Sequence, residues 1–200
     1  MPKPYTPNDA WSRRAAKEGY RARSVYKLME LDERFSLLKS GMTVLDLGCA
    51  PGSWMQYTVK RIGLTGHFIG MDVQEVKPVE GATTFVQDIM DIQGVSTLLA
   101  KQNIHSFDLI LSDLAPSTSG VKDVDQWRSI ELSQAVADIA ERFLKSDGIC
   151  VIKVLRGADF DSFLKQLKHD WGSVRTTQVE ASRDRSKEIY VLLRKTKGRR

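Results

Sequence analysis

The sequence predicts an α/β fold: a mostly parallel seven-stranded sheet with one antiparallel strand and helices on both faces. Three observations carry this. Apolar runs of strand length alternate with segments whose apolar residues recur at helical spacing, and parallel strands joined this way need crossover helices that cover both faces. A glycine turn directly after the first strand opens a helix. The last two apolar runs follow one another with no helix between them, so they close the chain as a hairpin that adds the antiparallel strand.

Residues 1–19 read as a basic arm, expected to be irregular because Pro2, Pro4 and Pro7 oppose early helix. Val25, Leu28, Leu31, Phe35 and Leu38 share one face of a helix over 20–38. MTVLDLG (42–48) is a short apolar strand and GSWMQYTVKRIG (52–63) a helix. HFIGMDV (67–73) and TTFVQDI (83–89) are strands, with a short helix over VSTLLAKQ (95–102). FDLILSDLA (107–115) is a strong strand. Leu132, Val136, Ile139, Ala140 and Phe143 mark a helix over about 126–145. GICVIKVLRG (148–157) is the next strand, followed by a helix over 159–170. VRTTQVEA (174–181) and EIYVLLRK (188–195) form the closing pair, and a basic tail occupies 196–200.

Two hundred residues suit a single domain, 1–200, with enough chain for a substantial core. Thirty basic residues against twenty-five acidic ones leave a net charge of +5, which points to a polyanionic partner. Cys49 and Cys150 lie far apart with no short Cys/His spacing, which argues against a disulfide scaffold and a structural metal and fits a reducing compartment. His67, His105 and His169 are scattered. No apolar run approaches the ~18 residues of a membrane span, and the N-terminus has no signal-peptide core. A cytoplasmic monomer with no metal is the expectation.

LDLGCAPGSW (45–54) carries the first chemical signal. Gly48 and Gly52 allow a sharp turn and close approach of a ligand to the backbone. The pattern is neither the G-x-G-x-x-G of dinucleotide binders nor a P-loop. Asp46 points a carboxylate towards the cleft, which suits an ammonium group better than a pyrophosphate. Asp72 ends the second strand, where an acid accepts hydrogen bonds from ribose hydroxyls. Asp88 ends the third and is placed to accept from an adenine amino group. Three acids at successive strand ends describe a nucleoside with a cationic tail, namely S-adenosylmethionine.

Asp113, at the end of the fourth strand, belongs beside the reactive end of that cofactor, because ligands of open α/β sheets bind beyond the carboxyl ends of the strands. Lys153 interrupts an apolar strand next to it. Neither an Asn/Asp-Pro-Pro-aromatic motif nor a placed cysteine nucleophile is present, so methylation of a base nitrogen or of a pyrimidine C5 is disfavoured. An aspartate and a lysine on neighbouring strands instead suit orienting and deprotonating a hydroxyl.

The chain resembles the FtsJ/RrmJ (RlmE) ribose 2′-O-methyltransferases of ribosomal RNA. The resemblance spans nearly the whole chain, through GYRARSVYKL (19–28), LDLGCAPGSW, LSDLAPSTSG (111–120), VIKV (151–154) and RSKEIYVL (185–192). Ala22, where relatives often carry Ser, is a small departure. The resemblance implies a Rossmann-like S-adenosylmethionine-dependent methyltransferase fold. It implies a catalytic Lys27, Asp113, Lys153 and Glu188, and cofactor contacts from Gly52, Trp54, Asp72, Asp88 and Asp113. The substrate it implies is a uridine of large-subunit ribosomal RNA, presented within the ribosomal particle.

The chemistry accounts for such a quartet. A sulfonium methyl is already electrophilic, so the enzyme must align the oxygen and remove its proton. Two lysines balance two carboxylates, and Lys153 is expected in an apolar strand because Asp113 and Glu188 pair with it. Flanking carboxylates raise a lysine above its usual ~10.4, whereas burial and neighbouring cations lower it. Two roles therefore stay open for Lys153, general base and orienting cation; the family resemblance favours the base.

On the RNA side, Arg13, Arg14, Lys17, Arg21 and Arg23 are candidates for phosphate contacts, interleaved with Trp11, Tyr20 and Tyr26 for stacking on bases. The residues leave two alternatives, a tRNA-directed ribose methyltransferase and a non-catalytic RNA-binding factor of ribosome assembly. An intact set of charged residues argues against the second. A nicotinamide dehydrogenase is disfavoured by the missing glycine fingerprint.

Overall fold

A computed structural model describes residues 10–116, 119–182 and 187–195. The start of the basic arm (1–9) and the basic tail (196–200) lie outside the described residues. The elements in chain order are α1 (Ala10–Lys17), α2 (Val25–Phe35), β1 (Thr43–Leu47), α3 (Ser53–Ile62), β2 (His67–Asp72), β3 (Ala82–Val86), α4 (Ile92–Lys101), β4 (Phe107–Ser112), α5 (Lys122–Phe143), β5 (Leu144–Leu155), α6 (Phe160–Asp170), β6 (Ser173–Thr177) and β7 (Glu188–Arg194).

The strands form one sheet in the order β3-β2-β1-β4-β5-β7-β6. Pairings from β3 through β5 are parallel. β7 is antiparallel to both β5 and β6, so the closing hairpin inserts its second strand between β5 and its own first strand. One antiparallel strand results, as expected. The strand order reverses between β1 and β4, which makes their carboxyl ends the place where a ligand crevice opens.

Strand alternation sorts the core into two layers. Leu45, Leu47, Ile110, Cys150, Ile152, Val154, Ile189 and Val191 pack with Val95 and Leu99 of α4, Val136 and Ile139 of α5, and Phe163 and Leu167 of α6. Val44, Phe68, Leu109, Leu111, Ile149, Val151, Tyr190 and Leu192 pack with Leu28 and Leu31 of α2 and with Trp54, Met55 and Ile62 of α3. Lys153 shares its parity with Ile149 and Val151, so its side chain emerges on the α2/α3 face. Asp46 shares parity with Val44 and emerges on the same face. Glu188 and Tyr190 also share parity, and Tyr190 lies opposite Lys153 in register.

Several boundaries depart from the sequence reading, each for a physical reason. The arm is not irregular throughout: α1 begins at Ala10, three residues beyond the last proline, and Ala15 is buried against Val25, Tyr26 and Ala181. α2 is shorter than 20–38 because Ser36 adopts a left-handed conformation (φ 51°) and its N–H returns to the Asp32 carbonyl. β3 stops at Val86, so Asp88 lies in the turn beyond the strand rather than at its end. α5 starts at Lys122, and β5 already begins at Leu144, where its pairing with β4 shifts register between Phe107 and Leu109. No described helix is long and apolar enough to cross a membrane.

Candidate active site

The carboxyl ends of β4 and β5, the start of β7 and the first turn of α2 converge on Asp113. Lys153 Nζ lies 3.1 Å from Asp113 Oδ1 and donates to the Asp113 carbonyl oxygen at 2.5 Å. Lys27 Nζ lies 2.7 Å from Glu188 Oε2 and 3.8 Å from Asp113 Oδ1. Tyr190 donates its hydroxyl to Asp113 Oδ1 at 2.7 Å, and Ser182 donates to Glu188 Oε2 at 2.9 Å. Lys27 and Lys153 are 8% and 5% exposed, which answers how lysines tolerate this core: each faces a carboxylate.

The pairing differs in detail from the expectation that both carboxylates hold Lys153. Asp113 takes Lys153, and Glu188 takes Lys27. Burial would raise the Glu188 carboxyl, but the charge and hydrogen bond of Lys27, the charge of Lys153 and the Ser182 hydroxyl together hold it below its usual range. Burial, reinforced by Asp113 and Glu188, pushes the Tyr190 phenol well above its usual range, so it stays a proton donor to Asp113. Tyr190 and Ser182 escaped the sequence reading. The alternation of β7 could have flagged Tyr190, which sits two residues after Glu188 on the same face. Ser182 comes from a loop and carries no such signal.

The glycine turn abuts this cluster. Gly48 has φ +84°, and its N–H donates to the Met71 carbonyl at 2.7 Å. A Cβ there would collide with the Leu114 side chain. Gly52 precedes α3 with φ +101°, and a Cβ there would fall 2.6 Å from Arg21 Nη1. Trp54 is buried, donates its indole N–H to the Ser24 carbonyl at 2.8 Å, and stacks on Tyr190 with ring centroids 6.3 Å apart.

Asp46 is the anomaly of the site. It is 1% exposed, and neither carboxylate oxygen has a hydrogen-bond partner. Burial, with Asp113 and Asp72 nearby, pushes its carboxyl well above the usual range. It lines a small cavity of about 30 Å³ with Ser24, Gly48, Ser53, Trp54 and Asp113. A second cavity of about 390 Å³ shares Gly48 and is lined by Asp72, Asp88, Met90, Leu114 and Arg128, among others. Asp72 accepts from the Ala50 and Gln74 backbone N–H groups, each at 2.9 Å, and Asp88 accepts from the Met90 N–H at 2.9 Å. The two acids line one wall, and Asp46 and Asp113 lie beyond Gly48. The chain thus offers an acceptor for a cation at one end and two carboxylates for hydroxyl or amino groups at the other.

The basic residues divide. Arg13 and Lys17 are exposed on α1. Arg14 is exposed too, but pairs with Glu18 at 2.7 Å and lies over the Tyr26 ring at 4.8 Å. Arg21 donates to the carbonyls of Pro51, Lys77 and Pro78, and Arg23 donates to that of Ala181. Trp11 is partly exposed, 5.1 Å from Tyr26.

The chain is similar to known proteins over nearly its whole length. Residues 20–196 match the family model described as FtsJ-like methyltransferase. The chain is 43% identical over 185 residues to the ribosomal RNA large subunit methyltransferase E of Azoarcus sp. (strain BH72), covering 92% of this chain and 90% of the relative. It is 40% identical over 185 residues to the protein of that name from Acinetobacter baylyi, covering 92% of this chain and 86% of the relative. Among solved structures, one named as a ribosomal RNA methyltransferase from Plasmodium falciparum superposes with a TM-score of 0.79 at 30% identity, over 90% of this chain and all of that one.

Proposed function

Because this chain belongs to the FtsJ-like methyltransferase family, we propose that it moves a methyl group from S-adenosylmethionine to the 2′-oxygen of a ribose in large-subunit ribosomal RNA. The target nucleotide is a uridine within the ribosomal particle. The relatives named ribosomal RNA large subunit methyltransferase E support the substrate class. One observation carries the reaction: a nearly inaccessible Lys153 held on Asp113 beside the glycine turn. A protein that only binds RNA has no use for two buried lysines and an orphaned carboxylate, each of which costs stability.

The residues present fit the cofactor. Asp46, buried without a partner, is the acceptor an ammonium group needs. Asp72 and Asp88 line the adjoining cavity, and each oxygen already holding a backbone N–H keeps a lone pair for a ribose hydroxyl or an adenine amino group. Gly48 lines both cavities, and a side chain there would collide with Leu114. When bound, the sulfonium supplies a methyl that needs no further activation.

The chain's own groups do the rest. Asp113 is fixed by Tyr190 and in turn fixes Lys153. Lys153 orients the ribose hydroxyl and, in its neutral form, accepts the hydroxyl proton. Lys27, held by Glu188, offers the second donor at the same point. Exposed Arg13, Arg14 and Lys17 of α1 offer phosphate contacts next to the helix that carries Lys27, and Trp11 offers a ring for an unpaired base.

The test is transfer from methyl-labelled S-adenosylmethionine to large ribosomal subunits from cells lacking this gene. Digestion to nucleosides should yield labelled 2′-O-methyluridine. Label on a base, or label entering only tRNA, would contradict the proposal.

A further inference from the structure

Arg21 looks, in sequence, like one more phosphate contact of a basic arm. Its surroundings are different. Its guanidinium donates through Nη1 to the Pro51 carbonyl at 3.1 Å and the Lys77 carbonyl at 2.7 Å, and through Nη2 to the Pro78 carbonyl at 2.9 Å. Its backbone N–H donates to Gln56 Oε1 at 2.9 Å, while Gln56 Nε2 returns to the Gly19 carbonyl at 3.0 Å. The three carbonyls that hold the guanidinium belong to two loops. One is the glycine turn between β1 and α3; the other follows β2 and begins directly after Asp72. Both loops reach the proposed cofactor cavity, one through Gly48 and the other through Val73.

The turn is gripped from both sides. Ala50 N–H is held by Asp72 Oδ2, and Pro51 C=O by Arg21. Gly52 lies against the same guanidinium, so closely that a Cβ would displace it. A planar fork with several fixed donors can bridge carbonyls of two loops at once, which a lysine ammonium on a flexible stem does poorly.

We infer that Arg21 is a positioning residue for the cofactor, a staple that sets the distance between the glycine turn and the loop after Asp72, and that it is not a phosphate contact. This rests on the cofactor reading given above. Arg21 touches neither cofactor nor RNA; it acts through the backbone of Pro51, Lys77 and Pro78.

The experiment compares the full chain with Arg21→Ala and Arg21→Lys in three measurements. Calorimetric titration with S-adenosylmethionine should show affinity falling about tenfold in Arg21→Ala with full stoichiometry, and only partial recovery in Arg21→Lys. In turnover, KM for the cofactor should rise while kcat at saturating cofactor stays put, a split that general destabilisation does not give. RNA binding against salt should keep its slope, whereas loss of one phosphate contact lowers it by about 0.7–0.9. Cofactor affinity within twofold of wild type in Arg21→Ala, or a flattened salt slope, would overturn the staple. Full recovery by lysine would overturn the argument from the fork. If the wild-type chain takes up no S-adenosylmethionine, the cofactor reading fails, and amide exchange then judges the staple alone. Exchange in segments 48–56 and 73–79 should quicken in Arg21→Ala, and unchanged exchange would overturn it.

Discussion

A carboxylate with no hydrogen bond, shut away from water, lowers the stability of any fold that holds it, and Asp46 is such a group. Its folded pKa lies above the unfolded value. It therefore adds stability only while protonated, and that contribution is lost as pH rises through the folded pKa. Asp46→Asn removes the ionisation and should raise the melting temperature at pH 8 by about 2–4 °C for each kcal/mol relieved, with a smaller gain at pH 5. Its affinity for S-adenosylmethionine should fall at least about tenfold, since an ammonium loses its counter-charge. Calorimetry of both kinds checks the pair of effects, and a variant that loses stability at both pH values would contradict the assignment. Glu188 carries the opposite sign. Its folded pKa is depressed, so its contribution is present above the unfolded value and disappears as pH falls through the folded one. The sequence displayed Asp46 and Glu188 as acids at strand ends. It could not display that one is paired and the other orphaned, because their neighbours come from α2, β4 and the loop before β7.

At the scale of elements, the β1–α3 turn brings the carboxyl end of an interior strand up to both cavities. Gly48 combines a left-handed φ with a Cβ position already occupied by Leu114, which itself follows Asp113. Gly48→Ala should cost about 1–3 kcal/mol of stability from the backbone conformation alone. It should also push Leu114, and with it the Asp113 loop, so that turnover falls more than folding does. Chemical denaturation and single-turnover rates on the same preparation separate the two losses; a variant with wild-type turnover would show that the turn is merely structural. Elements with strong apolar periodicity were legible, and β1, β2, β4, α3 and β7 fall close to where their patterns put them. α1 was not, because three prolines dominate its sequence window while its stability depends on burying Ala15 against Ala181 at the far end of the chain. The end of β3 was misplaced for a related reason. Gln87 and Asp88 continue the alternation, but Asp88 turns to cap the Met90 N–H, and α4 begins soon after.

Across the whole molecule, two helical layers and a sheet bring together four charged residues that are distant in the chain. Lys27 arrives from α2, Asp113 from beyond β4, Lys153 from β5 and Glu188 from β7. The identity of this quartet was legible through resemblance, and strand parity explains why its members meet on one face. Who pairs with whom, the grip of Tyr190 on Asp113 and the diversion of Arg21 to backbone carbonyls depend on side-chain geometry that no spacing encodes. The central claim is that Lys153 handles the proton of the ribose hydroxyl, and one measurement addresses it directly. Single-turnover methyl transfer to large ribosomal subunits, at saturating cofactor and between about pH 6 and 10, is compared for wild type, Lys153→Met and Lys153→Arg. Lys153→Met leaves Asp113 with the Tyr190 hydroxyl and the more distant Lys27, so it should lose stability, up to the ~3–5 kcal/mol of breaking a buried pair, yet still fold and bind both ligands. Its rate should fall by at least about 10²-fold. Lys153→Arg should fail as well, because guanidinium does not give up its proton. Both losses should persist across the pH range. Transfer by Lys153→Met at close to the wild-type rate, or substantial rescue by arginine, would contradict the role of Lys153 as the base.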